Sequence, residues 1–372
     1  MKRKVLTLTE ETKLFVGADP WHTYGIPDKG IPSLTMSDGP HGLRIETKSG
    51  LGFNTSKPAL CYPTASALGC TFDPELMQEF GRILAEECAA EGVDILLGPG
   101  VNHKRSPLCG RNFEYFSEDP LLTAELASGY IQGLQDNGIA ACLKHFAGNS
   151  REMGRLVQDS VIDERTLYEI YLRQFEKIVR KSRPAAVMAA YNLLNGTYCC
   201  ENKELLIDIL RHKWGYQGVI MSDWGAVSDP VMSAVNGLDV EMPGGDHGTS
   251  LLLKNAYKNK ILTDDRISTH TDTMRRLAEF CSTEKKRTFR TADHLAFAQK
   301  LAERSAVLLK NDGSLPLSKQ DDLAVVGLLA KTPRYQGTGS SKVNSITHDS
   351  LCEALDEAGV KIHVCAGLSH GR

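Results

Sequence analysis

The sequence predicts an α/β protein: a (β/α)8-type, TIM-like barrel of irregular build, followed by the first part of an α/β sandwich domain. Three observations predict it. Short, nearly continuous apolar runs recur near residues 34, 93, 139, 185, 218 and 237. Helical patterns separate these runs, and the residues just past each run are polar or charged. Runs that are apolar throughout, rather than alternating, suit parallel strands covered on both faces. Polar groups at strand ends are where a barrel carries its chemistry. Eight strands cannot be counted cleanly, so a doubly wound sheet is the competing architecture.

The stretch from Phe72 to Gly100 sets the pattern. Asp73 can cap a helix and Pro74 fits its first turn; Leu76, Phe80, Ile83 and Leu84 recur at helical spacing, and Gly92 stops it. Val93 to Leu97 then reads as a strand ending in GPG. A second helix is predicted over 163–183, acidic at its start and basic at its end as the helix dipole prefers, followed by a strand over 185–190. A third helix, KELLIDILRHKW over 203–214, closes at Gly215 and leads to a strand at 218–222, with another expected at 236–240. Residues 1–280 are thus expected to form the barrel. The charged stretch CSTEKKRTFRTADH opens a linker or connecting helix over 281–305, and 306–372 begins a new α/β unit that is too short to be complete.

With 372 residues, 41% hydrophobic and 24% charged, the chain has room for one large domain and part of a second. Its 43 basic and 46 acidic residues are spread out, with no basic block to track a phosphate backbone. Nucleic acid is therefore not expected as a partner. No run is long and apolar enough to span a bilayer, and the basic start MKRK is followed by polar and acidic residues rather than a signal-peptide core. These features, with ten cysteines and no CxxC pair, lead to the expectation of a cytoplasmic protein with reduced thiols. No cofactor or metal is called for: HxH and HExxH are absent, and the GTGSS loop at 337–341 lacks the GK[ST] ending of a phosphate cradle.

The predicted strand ends read MSDGPHGLR, LLGPG, CLKHFAGN, MAAYN, IMSDWGA and VEMPGG. They, or the loops just after them, carry Asp38, Arg44, Arg111, Lys144, His145, Arg155, Tyr191, Asp223 and Trp224. Each alone has a duller explanation. Asp223 could cap a helix, Asp38 could form a turn, Lys144 and Arg155 could be structural ion pairs, and His145 and Trp224 could be core residues. Gathered at one rim, charges of both signs with aromatics suit a polyhydroxylated neutral ligand, whose hydroxyls both donate and accept. Lys144 and the arginines are expected to hold the Asp223 pKa down and keep it a nucleophile.

At this point the motifs resemble glycoside hydrolase family 3, in its β-glucosidase-like branch. The resemblance runs through LTEETKLFVGADPWHT, IPSLTMSDGPHGLR, GRNFEYFSEDP, KHFAGN, MAAYN, GVIMSDWGA, GLDVEMPG, SAVLLKNDGSLPL and GTGSSKVN, almost the whole chain. It implies that Asp223, in SDW, is the catalytic nucleophile of a retaining exo-acting β-glycosidase, most simply a β-glucosidase acting on small β-glucosides or oligosaccharides. It further implies that Asp38, Arg111, Lys144, His145, Arg155 and Tyr191 hold the terminal sugar's hydroxyls, that Arg44, Met188 and Trp224 line the same pocket, and that Ser340 reaches over it. One branch of the family takes its acid from a KHFPGHG-like loop; here the loop is KHFAGNSREMGR, without the second histidine. The resemblance therefore implies a general-acid glutamate in a second domain, beyond these residues, with Glu353 and Glu357 as poor substitutes. Two rival readings remain: a sugar-binding protein without turnover, and a Schiff-base aldolase using Lys144.

Overall fold

The computed structural model describes residues 5–47, 56–285, 288–336, 339–365 and 367. A parallel sheet forms its centre, in the spatial order Met36–Ser37, Ile95–Leu96, Ala140–Phe146, Ala186–Ala189, Val219–Ser222. This order is the chain order, with no reversal in the middle. The sheet is therefore the curled sheet of a TIM-like barrel and not a doubly wound one.

The expected strand at 236–240 is reduced to single bridges, Val240 to Met221 and Glu241 to Val16. Asp239 explains the reduction. Its buried carboxylate accepts from the Ile220 amide at 2.9 Å and is gripped by Arg211 and by Arg266 at 3.0 Å, so a side chain takes part of the ladder's place. The ring then continues through an N-terminal hairpin, Gly17–Asp19 with His22–Thr23, that sequence reading missed. His22 bridges Thr35 in antiparallel fashion and Met36 N donates to Trp21 O at 2.7 Å, which returns the hydrogen bonding to the first strand. The barrel is irregular because two-residue and three-residue pieces close it.

Alternate residues divide between two cores. Ala186 and Met188 face inward with Met36, Ile95, Cys142 and Met221, while Val187 and Ala189 face the surrounding helices. Both faces are buried, which is why the strands read as continuous apolar runs. Outside, Asp73 caps helix Pro74–Ala90 by accepting from Leu76 N at 3.0 Å. That helix lies close against Pro120–Gln135: a Cβ on Gly133 would sit 2.0 Å from Gln78 O, so only glycine permits the approach. The predicted 163–183 helix is helical but broken, with a π-helical stretch Leu167–Tyr171 ahead of Arg173–Ser182, and Glu204–Lys213 is also π-helical.

Past the barrel, helix Thr291–Ser305 packs Phe297 and Leu301 into the outer core, and its buried His294 meets Glu87 at 2.8 Å. Residues 306–365 then form a small parallel pair, Leu323–Val326 with Ile362–Cys365, flanked by helix Leu351–Glu357. This unit touches the barrel through strand Asn344–Ser345, which pairs with Pro58–Ala59. Among the described residues no helix is long and apolar enough to cross a membrane, and no group of three or more His, Cys, Asp or Glu is placed to hold a metal ion.

Candidate active site

At the C-terminal end of the barrel strands lies a cavity of about 170 Å³. Its lining includes Asp38, Arg44, Arg111, Lys144, His145, Arg155, Met188, Tyr191, Asp223, Trp224 and Ser340, so the structure brings together every residue proposed from the sequence. It adds Trp21, Glu46, Leu97 and Leu156, which sequence reading did not assign.

Local backbone features aim these groups. In a regular strand Lys144 and His145 would point to opposite faces. The pairing of Ala140–Phe146 with Ala186–Ala189 shifts register between Leu143 and Phe146, and both side chains line the cavity. Lys144 Nζ reaches Asp38 Oδ1 at 2.9 Å in a buried pair. Burial pulls the lysine's pKa down, but Asp38 and Glu114 outweigh it, and the value lies above the ordinary lysine range. A Schiff base needs the free amine, so the aldolase reading loses its central group.

His145 is kept neutral: burial, then Arg111, Lys144 and Arg155, push its pKa well below the usual value. Arg111 Nη2 donates to His145 Nε2 at 2.8 Å, which leaves the proton on Nδ1, where it can donate to the Tyr115 hydroxyl at 3.1 Å. The 3.6 Å approach of His145 Nε2 to Asp223 Oδ2 is accordingly a dipolar contact and not an ion pair. Arg111 is itself paired with buried Glu114, and Arg155 lies over the Tyr191 ring at 4.5 Å and pairs with Glu152 at 3.0 Å.

Asp223 sits just beyond strand Val219–Ser222. Its Oδ1 accepts from the Trp224 amide at 2.8 Å, while Oδ2 is buried and makes no hydrogen bond. One oxygen is anchored by the backbone and the other is not. The expectation that neighbouring cations hold its pKa down is reversed. Burial raises it, and Arg111, Lys144, the Trp224 amide and the facing Tyr191 hydroxyl only partly oppose that. Desolvation is the effect that sequence cannot weigh, because it depends on how completely the rim closes over the carboxylate.

The other carboxylates in the lining are Asp38, paired with Lys144, and Glu46. Glu46 accepts from Arg44 Nη1 at 3.2 Å and from the Trp21 indole at 3.1 Å. Glu353 is remote from this chemistry: it completes a capping box with Ser350 at the start of helix Leu351–Glu357. Ser340 comes from the small C-terminal unit. Gln336 accepts from Val343 N at 2.6 Å, and the neighbouring strand Asn344–Ser345 docks on Pro58–Ala59, which holds the loop at the cavity. Gly337 and Thr338 of that loop lie outside the described residues.

Residues 31–264 match the family described as the glycosyl hydrolase family 3 N terminal domain. The chain belongs to glycosyl hydrolase family 3. It is similar to thermostable β-glucosidase B of Acetivibrio thermocellus, 46% identical over 362 residues that make up 96% of this chain and 48% of that protein. It is 40% identical to an exo-α-(1→6)-L-arabinopyranosidase of Bifidobacterium longum, over 98% of this chain and 50% of that protein. The structure of β-glucosidase 3B from Thermotoga neapolitana in complex with glucose superposes with a TM-score of 0.87 at 34% identity, covering 96% of this chain and 54% of that one. The chain thus spans about half the length of the relatives it matches.

Proposed function

We propose that this family 3 chain carries the sugar site and nucleophile of a retaining exo-acting β-glycosidase that releases terminal β-D-glucosyl residues. The observation that carries the reading is Asp223, anchored through Oδ1 by the Trp224 amide with His145 Nε2 3.6 Å from Oδ2, in a pocket of buried charges of both signs. Asp38, Arg111, Lys144, His145, Arg155 and Tyr191 present donors and acceptors to the hydroxyls of one sugar ring, with Arg44, Met188, Trp224 and Ser340 completing the wall. Asp223 Oδ2 attacks the anomeric carbon, the bond to the leaving oxygen breaks, and water then displaces the sugar from the aspartyl ester. A protonated carboxyl about 5 to 5.5 Å away would deliver the proton to the leaving oxygen. Asp38 and Glu46 are both held by cations, so neither serves. The acid is supplied from outside this lining.

The division of labour follows: residues 1–280 form the barrel that binds and attacks, 281–305 connect, and 306–372 begin the sandwich unit that sends Ser340 over the sugar. Incubation with a 2-fluoro β-glucoside bearing an activated leaving group tests the reading. A single sugar mass on the peptide containing Asp223 is expected, because a good leaving group bypasses the acid. An adduct elsewhere refutes the nucleophile assignment. Calorimetric binding of glucose without any adduct supports instead a sugar-binding role without turnover, which the ion-paired state of the remaining carboxylates favours as the second reading. The arabinopyranosidase relative makes the sugar itself part of the test: aryl β-D-glucoside is expected to react faster than aryl α-L-arabinopyranoside.

A further inference from the structure

One buried side chain lies outside the cavity lining yet grips the strand that feeds it. Asn102 follows the strand Ile95–Leu96, is 1% exposed and is not among the residues that meet the cavity. The main chain beside it pairs in the ordinary parallel way as far as Lys144: Lys144 N donates to Pro99 O at 3.0 Å, and Val101 N donates to Lys144 O at 2.8 Å. At the next residue the side-chain amide of Asn102 takes over. Its Oδ1 accepts from His145 N at 2.8 Å and its Nδ2 donates to His145 O at 2.8 Å. A carboxamide carries the same kinds of donor and acceptor as a peptide group, so it stands in for a strand residue. It does so between Leu143 and Phe146, where the pairing with Ala186–Ala189 shifts register. The segment is in turn fixed from outside the barrel, because buried Gln174 of helix Arg173–Ser182 donates to the carbonyl of the preceding Val101 at 3.1 Å.

We propose that Asn102 is the positioning residue for His145: its carboxamide, paired with the His145 main chain, sets where the imidazole stands in the cavity. From that place the ring meets Arg111 through Nε2 at 2.8 Å and the Tyr115 hydroxyl through Nδ1 at 3.1 Å, and stands 3.6 Å from Asp223 Oδ2. Loss of the carboxamide removes the partner of a buried N–H and a buried C=O together, so the segment shifts to satisfy them and the ring shifts with it. This rests on the reading of the cavity as a sugar site and deepens it: affinity for the ligand depends on a residue that does not touch the ligand.

A double-mutant cycle read by calorimetry with glucose tests the proposal. Asn102→Ala is expected to weaken glucose about 10-fold in the wild-type background and by less than about twofold where His145 is already alanine, because its effect runs through that ring. A residue that merely supports the fold costs the same in both backgrounds. Nitrogen-15 resonance of the histidine side chains gives a second readout that needs no sugar. The wild-type chain should show His145 with its proton fixed on Nδ1, and Asn102→Ala should move both ring nitrogens toward the averaged values of an exchanging imidazole. The signal of His145 is identified by its loss in His145→Ala. Asn102→Asp keeps the shape and the acceptor but not the amide donor; it serves where the alanine variant does not fold, and should weaken glucose about 3-fold. An equal loss of affinity in both backgrounds, no loss in either, or unchanged His145 nitrogens in the variants overturns the proposal. Failure of the sugar-site reading is separate: it appears as a wild-type chain that does not bind glucose, and the nitrogen resonances then decide the role of Asn102 by themselves.

Discussion

The barrel and the unit that follows it are written in the same alphabet of apolar runs and helical patterns, yet they end in different states. Every residue of strand Ala140–Phe146 is buried. In strand Leu323–Val326 only Val325 is, and Val326 is 67% exposed. Leu308, Leu309, Leu328 and Leu329 around it are more than half exposed as well. An apolar strand becomes core only when helices cover both its faces, and the barrel supplies that cover while the small unit does not. The difference teaches where function can sit. The buried charges gather where packing is complete, and among the described residues the smaller unit reaches the cavity through Ser340.

The sharpest way to break this contrast is at the proposed nucleophile. If the proposed function holds, Asp223→Asn should lower the rate of reaction with an activated aryl β-glucoside by about 10⁴-fold or more. It should also stabilise the barrel at pH 7. The Asp223 pKa is raised on folding, so the favourable contribution belongs to the protonated form. That contribution is present below the ordinary aspartate value and is lost as pH rises through the folded value. The gain in Tm should therefore shrink as pH falls toward about 3.9. A variant less stable than wild type at neutral pH would contradict the direction of the shift. Next in size is Lys144→Met, which leaves Asp38 buried without its cation. A loss of about 3 to 5 kcal/mol is expected in denaturant unfolding. A loss below about 1 kcal/mol would place the pair among surface-like ion pairs.

A smaller effect comes from histidines buried in the barrel. Burial lowers His41 to about 4 and His270 to about 3. Their unfolded forms take up protons below about 6.5, so barrel stability should fall as pH drops from there toward 4. His41→Gln and His270→Gln should each flatten the slope of unfolding free energy against pH. The smallest effect tests the docked loop: Ser340→Ala removes one hydroxyl and should raise KM about fivefold with little change in Tm. An unchanged KM would mean that the second unit contributes nothing to the sugar through this residue.

Much of this was legible in the chain. Asp73, Pro74 and the spacing of Leu76, Phe80 and Leu84 set a helix at Pro74–Ala90, because caps and periodicity are local signals. The candidate site was legible because its residues sit on ordered motifs at strand ends, and all eleven line one cavity. The hairpin of residues 17–23 was not: strands of two or three residues show no period, and tertiary closure alone makes them strands. The strand expected at 236–240 failed for the converse reason, since an apolar run contains Asp239, whose two arginine partners come from elsewhere in the chain. Trp21 stood in plain view in ADPWHT, but nothing local ties it to Glu46, 25 residues later. The Asp223 pKa was misjudged because neighbouring charges can be counted from sequence and desolvation cannot.

The central claim is that Asp223 attacks the anomeric carbon from within a site the barrel holds. Replacing it by glycine and supplying azide with 2,4-dinitrophenyl β-glucoside tests this most directly, by nuclear magnetic resonance of the product. Azide entering the space left by the carboxylate should give α-glucosyl azide. β-Glucosyl azide, or a variant that still releases glucose with retention, would contradict it.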